Sequence, residues 1–405
     1  MFQREFIVLF CATFAALFGL GVVVPLLPLY ALDLGAGGMW LALMFSSFSV
    51  SRTLALPAFG RWSDRTRRKP FITWGLFASA GIGLAYALVD DLTEIVLLRF
   101  VQGVASAMVL PIAQAYVGDL TPRLREGRYM GAFNIAMFAG FGVGPMLGGY
   151  VKDAWSLQAA FALTGVLNLA AGLLVALALP ARPLLVGAVE GAGRSLPLRL
   201  FWRVPTLRGF LLFRALAALG HGSLFSFLPI LGRSSLGISS TRVGTVLTLE
   251  LMLGTLLQVP CGWLADRFDR RLLMAVGIGI HTLSLVLIAR SGTFTQLLIS
   301  SLVLGLADAL LLPTMAAITV EFGRDCGMGA SQGMFMMAQS VGMVGSGFVG
   351  GALLNLLGVA WIYYAAGALG MLALWMFLVF SRLPMPEPER ELLRAETVKA
   401  SVASS

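Results

Sequence analysis

The sequence predicts an all-α membrane protein, with twelve transmembrane helices in two pseudo-symmetric six-helix bundles. Three observations carry that expectation. Of 405 residues, 58% are hydrophobic and only 12% charged, against roughly 25% charged in an ordinary soluble domain, and the mean hydropathy is +0.87. Twelve apolar runs follow one another, each long enough to cross ~30 Å of hydrocarbon. The second six runs repeat the first at a constant spacing.

The run at 6–30 is too long for the core of a signal peptide and lacks a small-residue cleavage site, so it reads as the first span. The spans at 38–60 and 70–89 flank a basic loop, Arg61 to Lys69. Those at 94–118 and 128–150 flank a second, with Arg123, Arg125 and Arg128, and 156–180 completes the first half. A Pro-, Gly- and Arg-rich stretch follows at 181–206, whose end, Leu196 to Val204, could lie on the membrane surface as an amphipathic segment. The second half runs 207–232, 241–262, 272–290, 295–320, 328–354 and 359–381, with Arg267, Arg270 and Arg271 between its second and third spans. This divides the chain into a bundle at 1–180, a linker at 181–206, a bundle at 207–381 and a tail at 382–405.

The formal charge of +9 would suggest a polyanionic partner in a soluble protein. Here it follows the rule that Lys and Arg collect in cytoplasmic loops. With the N-terminus inside, only Lys152, Arg233, Arg242 and Arg290 fall outside, and Arg52, Arg99 and Arg214 lie within spans. Both termini are therefore expected in the cytoplasm of a multi-pass protein of the cell (inner) membrane. Nucleic-acid binding is not expected. Cys11, Cys261 and Cys326 have no metal-type spacing, so neither a disulfide framework nor a metal site is implied. No cofactor is called for.

Gly60 and Gly262 set an offset of 202 residues, and Asp64, Arg65 and Arg68 recur at the same offset as Asp266, Arg267 and Arg270. Gly103, Pro111, Gly131, Gly140, Gly148 and Gly149 recur as Gly305, Pro313, Gly333, Gly342, Gly350 and Gly351. Parallel repeats of this kind place a substrate site between the halves and permit alternating access by rocking one bundle on the other.

The loop Gly60-Arg-Trp-Ser-Asp64-Arg65-Thr-Arg67-Arg68-Lys69 resembles the G-x-x-x-D-R-x-G-R-R/K signature of the major facilitator superfamily. Gly262-Trp-Leu-Ala-Asp266-Arg267-Phe-Asp269-Arg270-Arg271 is similar to its second copy, with Arg67 and Asp269 in place of the second glycine. A carboxylate at a helix end can accept hydrogen bonds from cations and from a neighbouring helix N-terminus, which would latch one conformation. The alternative is a solvated positive cluster, which suits Arg67 and Lys69. The fifth span carries Gly140, Gly144, Pro145, Gly148 and Gly149, matching the antiporter motif of the twelve-helix drug:proton exchanger branch. Close helix packing alone is the competing explanation for those glycines. Arg99-Phe-Val-Gln102-Gly103 is similar to the family's R-x-x-Q-G element, whose arginine is linked to proton coupling. The first span, with Gly19, Gly21, Pro25, Pro28 and Tyr30, also resembles that branch.

Ionisable groups inside a bilayer cost about 2.5–3.5 kcal/mol each on insertion scales, so each invites a functional reading. Five lie within spans: Arg52, Arg99, Arg214, Glu250 and Asp308. At the repeat offset Asp308 falls on Ser106, on the face of Arg99, and Glu250 falls on Phe48, one turn before Arg52. Asp308, with Glu250 second, is expected to exchange a proton in competition with substrate. A permanent ion pair with Arg214 is the alternative, and Arg214 could instead snorkel to the surface. His221 and His281 read as structural, hydrogen-bonded residues.

Gln102, Gln114, Asn134, Gln258 and Gln339 are the uncharged polar candidates for the cavity, amid many Phe and Met such as Met328, Met334, Met336, Met337 and Met343. Met-rich surfaces adapt to varied apolar shapes, although a Met stripe also serves plain packing. The resemblance implies a monomeric, non-enzymatic transporter moving a lipophilic or amphipathic molecule outward in exchange for protons, a multidrug-resistance activity. The alternative is a proton-coupled uptake symporter of an organic anion or metabolite, using Arg52, Arg99 and Arg214 as anion ligands. A channel or membrane enzyme is disfavoured, because no nucleophile constellation, metal set or filter-like loop interrupts the spans.

Overall fold

The structure, a computed structural model, describes residues 4–120, 126–180, 204–326 and 328–380. Most of the 181–206 linker, including the expected amphipathic segment, and the 382–405 tail lie outside the described residues. Among the described residues the regular structure is twelve helices: α1 (Arg4–Asp33), α2 (Gly38–Arg65), α3 (Arg68–Tyr86), α4 (Leu92–Leu120), α5 (Glu126–Ala154) and α6 (Leu157–Ala178), then α7 (Pro205–Ser234), α8 (Ser240–Arg267), α9 (Arg270–Ala289), α10 (Phe294–Cys326), α11 (Met328–Leu356) and α12 (Val359–Phe380).

Eleven of them are long and apolar enough to cross a membrane. The exception is α3, which starts on Arg68 and Lys69 and offers only Pro70 to Tyr86 as apolar length, near the ~17-residue minimum for a span. Polar residues at the ends set several boundaries. Asp91 Oδ1 accepts from Thr93 N at 2.6 Å ahead of α4, and Ser156 Oγ accepts from Ala159 N at 3.0 Å to cap α6. These bonds satisfy first-turn amides that have no partner inside the helix. Gly35 (φ 81°) and Gly237 (φ 59°), again 202 apart, sit in the α1–α2 and α7–α8 turns in the left-handed region that favours glycine.

In the first half α1 packs on α5 and α6, α2 on α4, and α3 on α4 and α6; the second half repeats the scheme, with α7 on α11 and α12, α8 on α10, and α9 on α10 and α12. The repeat glycines sit at equivalent crossings. A Cβ on Gly103 would run into the Phe48 carbonyl, and one on Gly305 would run into the Glu250 carbonyl, the position 202 residues further on. Small residues let two backbones approach this closely in lipid.

The halves meet through α5 against α8, α2 against α11 and, more lightly, α1 against α7. Away from the termini one apolar core is continuous across both halves, joining Val22, Leu26 and Leu27 to Leu224, Phe227 and Leu228. On the side where α1 begins, the core splits in two. Phe6, Leu9, Ile72 and Phe133 belong to one part, and Leu207, Phe210, Phe335 and Phe377 to the other. The molecule is thus closed at the end opposite the N-terminus and divided at the end that carries it.

Candidate transport pathway and polar cluster

Between the halves, on the divided side of the fused core, lies a cavity of about 410 Å³. This is the size range of small-molecule sites, ~300–1,000 Å³. Its walls are largely apolar, with Phe45, Phe48, Phe138, Phe141 and Phe225 among them. Phe141 and Phe225 meet across the halves at 5.6 Å between ring centroids, as do Phe45 and Phe227 at 6.3 Å. Phe45, Phe141 and Phe225 line the cavity where the halves meet.

Arg52 and Arg99 line it from the first half. Arg99 is buried, donates from Nε to the Met44 carbonyl at 3.3 Å and from Nη1 to Gln102 Oε1 at 2.9 Å, and stands over the Phe48 ring at 4.6 Å. Gln102 also accepts from the Tyr86 hydroxyl at 3.2 Å. It faces a small space inside the first bundle rather than the central cavity. Its task here is to hold Arg99. Arg52 Nε is buried without a hydrogen-bond partner.

The second half holds a smaller chamber of about 150 Å³. Gln339 and Met343 line both spaces, so the two adjoin. Asp308 of α10, His221 of α7 and His281 of α9 converge there, with their ligating atoms all within 4.8 Å of one another. Asp308 Oδ2 lies 3.4 Å from His221 Nδ1. Glu250 of α8 is buried behind Asp308, within hydrogen-bonding reach of it, and lines neither space. Its Oε2 is without a partner, as is His281 Nδ1. Two carboxyl groups can hydrogen-bond to each other only through a proton. Donors around a zinc ion with bonds near 2.0 Å stand about 3.3 Å apart, so the trio would have to contract to hold a metal.

Arg214 does not pair with Glu250 or Asp308 and does not snorkel free. Its Nη2 donates to Gln339 Oε1 at 2.9 Å, and it lines the chamber. The histidines are not the satisfied structural residues expected from isolated positions; they belong to the acidic cluster. The three residues lie on separate helices, so no spacing along the chain brings them together. Of the other polar candidates, Gln114 and Asn134 are exposed and line neither space, nor does Gln258. The side chains of Met328 and Met334 lie outside the described residues, and Met336 and Met337 are exposed.

The fifth-helix motif has a divided role. A Cβ on Gly140, Gly144 or Gly148 would press on α1, at Phe14, Gly21 and Val22, whereas one on Gly149 would press on Ser240 of the other half. In return Gly244 lies under the Pro145 carbonyl, and Gly351 faces Gly38. Polar bonds reinforce this seam. Asn355 Oδ1 accepts from Gly38 N at 2.8 Å, Asp153 Oδ2 accepts from Thr241 N and Oγ1, both at 2.6 Å, and Lys152 Nζ donates to Ser240 Oγ at 2.7 Å. Arg233 pairs with Asp33 at 2.7 Å.

At the opposite face, the side chains of Asp64, Arg65 and Asp266 lie outside the described residues. A Cβ on Gly60 would meet nothing within 4 Å. Arg68 is buried, and Arg267 stacks 3.7 Å above Trp263. The missing second glycine is explained by backbone geometry. Arg67 (φ −106°) and Asp269 (φ −59°) are N-caps of the following helices and need no left-handed residue. Lys69 is not merely solvated. Its Nζ donates to the Ala176 carbonyl at 2.7 Å, and Arg271 Nη2 donates to the Leu378 carbonyl at 2.7 Å. Donor and acceptor both shift by 202, and each cation satisfies a carbonyl near a helix C-terminus.

A family model described as Major Facilitator Superfamily matches residues 9–239 and 210–404. The chain is 26% identical over 364 residues to an uncharacterized MFS-type transporter of Methanocaldococcus jannaschii, covering 89% of this chain and 94% of that one. It is 23% identical over 349 residues to Multidrug resistance protein 1 of Bacillus subtilis, covering 85% and 88%. The crystal structure of the nucleoside transporter NupG is similar in fold, with a TM-score of 0.78 at 15% identity, covering 93% of this chain and 99% of that one.

Proposed function

The chain belongs to the Major Facilitator Superfamily, and we propose that this multi-pass membrane transporter is a secondary active exporter that moves small amphipathic molecules outward in exchange for protons. The observation that carries the reading is the pairing of one fused core with one divided core around a largely apolar cavity. A body of this shape can close the divided end by opening the fused one, which is alternating access. The rocking units are residues 1–180 and 207–381, joined by 181–206. With both termini in the cytoplasm of the inner membrane, the present state is open to the cytoplasm, where an exporter loads. The protein works as a monomer.

Asp308 is the proton carrier in this reading. The charged and titratable groups around it are Glu250 from α8, His221 and Arg214 from α7 and His281 from α9, while α11 contributes the neutral Gln339. A proton held between Asp308 and Glu250 can pass to His221, which reaches the chamber. Gly60, Asp64, Arg65, Arg68, Asp266 and Arg267 would latch the cytoplasmic face when it closes. Gly140, Gly144, Pro145, Gly148 and Gly149 give the bundles their close rocking contact. Transport by Asp308→Asn in proteoliposomes, with and without a pH gradient, tests the proton role. Loss of gradient dependence is expected, and unchanged gradient dependence overturns it.

A further inference from the structure

The central cavity is electrostatically one-sided. Arg52 and Arg99 line it, and among the described residues no carboxylate does. Neither arginine has an ion-pair partner among the described residues. Arg99 is already committed to Met44, Gln102 and the face of Phe48. Arg52 is not committed, its Nε being buried and unpaired. It stands near the middle of α2 and is half-buried. The acidic pair makes no ion pair with it: Asp308 lines the adjoining chamber beside His221, and Glu250 lies behind Asp308.

A half-buried cation with no ion-pair partner, deep in a bilayer, is costly. A ligand that brings its own negative charge removes that cost, and a guanidinium fork suits a planar carboxylate or a sulfonate. Much of the remaining wall is apolar, with Phe rings and methionines among leucines, and suits an aromatic body. We propose, resting on the central cavity as the substrate path, that the transported class is amphipathic organic anions, with the anionic head on Arg52 and the aromatic body among Phe48, Phe138, Phe141 and Phe225. Arg99 supplies positive potential behind the head. His221, Asp308 and Glu250 are left to the proton.

The test is isothermal titration calorimetry of the full chain in nanodiscs with three probes of one shape, 2-naphthoate, 2-naphthamide and 2-naphthylmethylammonium. A charge-assisted fork is expected to make naphthoate bind at least about tenfold tighter than naphthamide, with the ammonium weakest. Arg52→Gln should bring the naphthoate-to-naphthamide ratio toward one. Arg52→Lys, which keeps the charge and loses the fork, should retain part of the preference, and it serves if the glutamine variant does not fold. Ammonium binding as tight as naphthoate, no naphthoate binding where naphthamide binds, or an unchanged ratio in the folded Arg52 variants overturns the inference. Flux in oriented vesicles separates it from the export reading. Export of the amide or ammonium without anion preference sinks only the anion claim, and inward-directed transport of naphthoate sinks only the export direction.

Discussion

Adding two methyl groups to the seam between the bundles should force the molecule into its opposite state. In the double variant Gly244→Ala/Gly351→Ala, the new Cβ atoms would stand 2.6 Å from the Pro145 carbonyl carbon and 2.8 Å from the Gly38 carbonyl carbon, where ordinary contact begins at 3.4 Å. Each helix pair must part by more than the difference, because the carbonyl oxygens stand nearer still and the obstacle is backbone that cannot rotate away. Overpacking of this kind costs about 1–3 kcal/mol per site. The two sites share no neighbour, so their costs add to about 2–6 kcal/mol. At about 1.4 kcal/mol per tenfold, the closed seam loses roughly 30-fold to 10⁴-fold in population. The state in which the bundles separate there bears none of this cost. Spin labels at Met39 and Leu357, both exposed at this end, measure the opening by electron–electron double resonance. The variant should shift the distribution to longer distances, and Gly81→Ala, whose Cβ meets nothing within 4 Å, should not. An unchanged distribution in folded double variant would refute the claim that this seam sets the conformation.

Gln102→Leu removes the acceptor that Arg99 and Tyr86 share and should lower stability by about 2–3 kcal/mol, read as a fall in Tm. Gly305→Ala should cost about 1–3 kcal/mol by driving α10 off the Glu250 carbonyl, in contrast with the neutral Gly81 site. Lys69→Ala and Arg271→Ala should each lower Tm by the equivalent of about 1 kcal/mol, since each frees a helix-end carbonyl. Equal Tm values for wild type and both variants would show that the two tethers carry no stability.

The twelve helices and their division into two equivalent bundles were legible because apolar length and the offset of 202 are properties of the chain alone. The repeat also maps Glu250 onto Phe48, and in the structure both carbonyls meet the equivalent glycines, Gly305 and Gly103. What the sequence hides is the direction each helix faces. In a soluble protein the polar face marks the outside, but in lipid the outer and inner faces are both apolar. Exposed Trp74 and Leu97 therefore look no different from buried Phe133 or Leu304 in the sequence. For the same reason Gln102 could not be assigned to the inside of one bundle, nor His221 and His281 to one cluster with Asp308. Lys69 and Arg271 were hidden differently. Positive-inside counting explains any loop cation, and so it obscures the two that tie one helix to the end of another.

Two-sided labelling at the central cavity tests alternating access most directly. Ser49 lines that cavity, and Ser49→Cys in a chain without Cys11, Cys261 and Cys326 can be exposed to a membrane-impermeant maleimide from either face of oriented proteoliposomes. Labelling is expected from the face that carries the termini in the resting protein, and from the other face, with loss of the first, in the Gly244→Ala/Gly351→Ala background. Labelling from both faces at once, or from the same single face in both backgrounds, would contradict it.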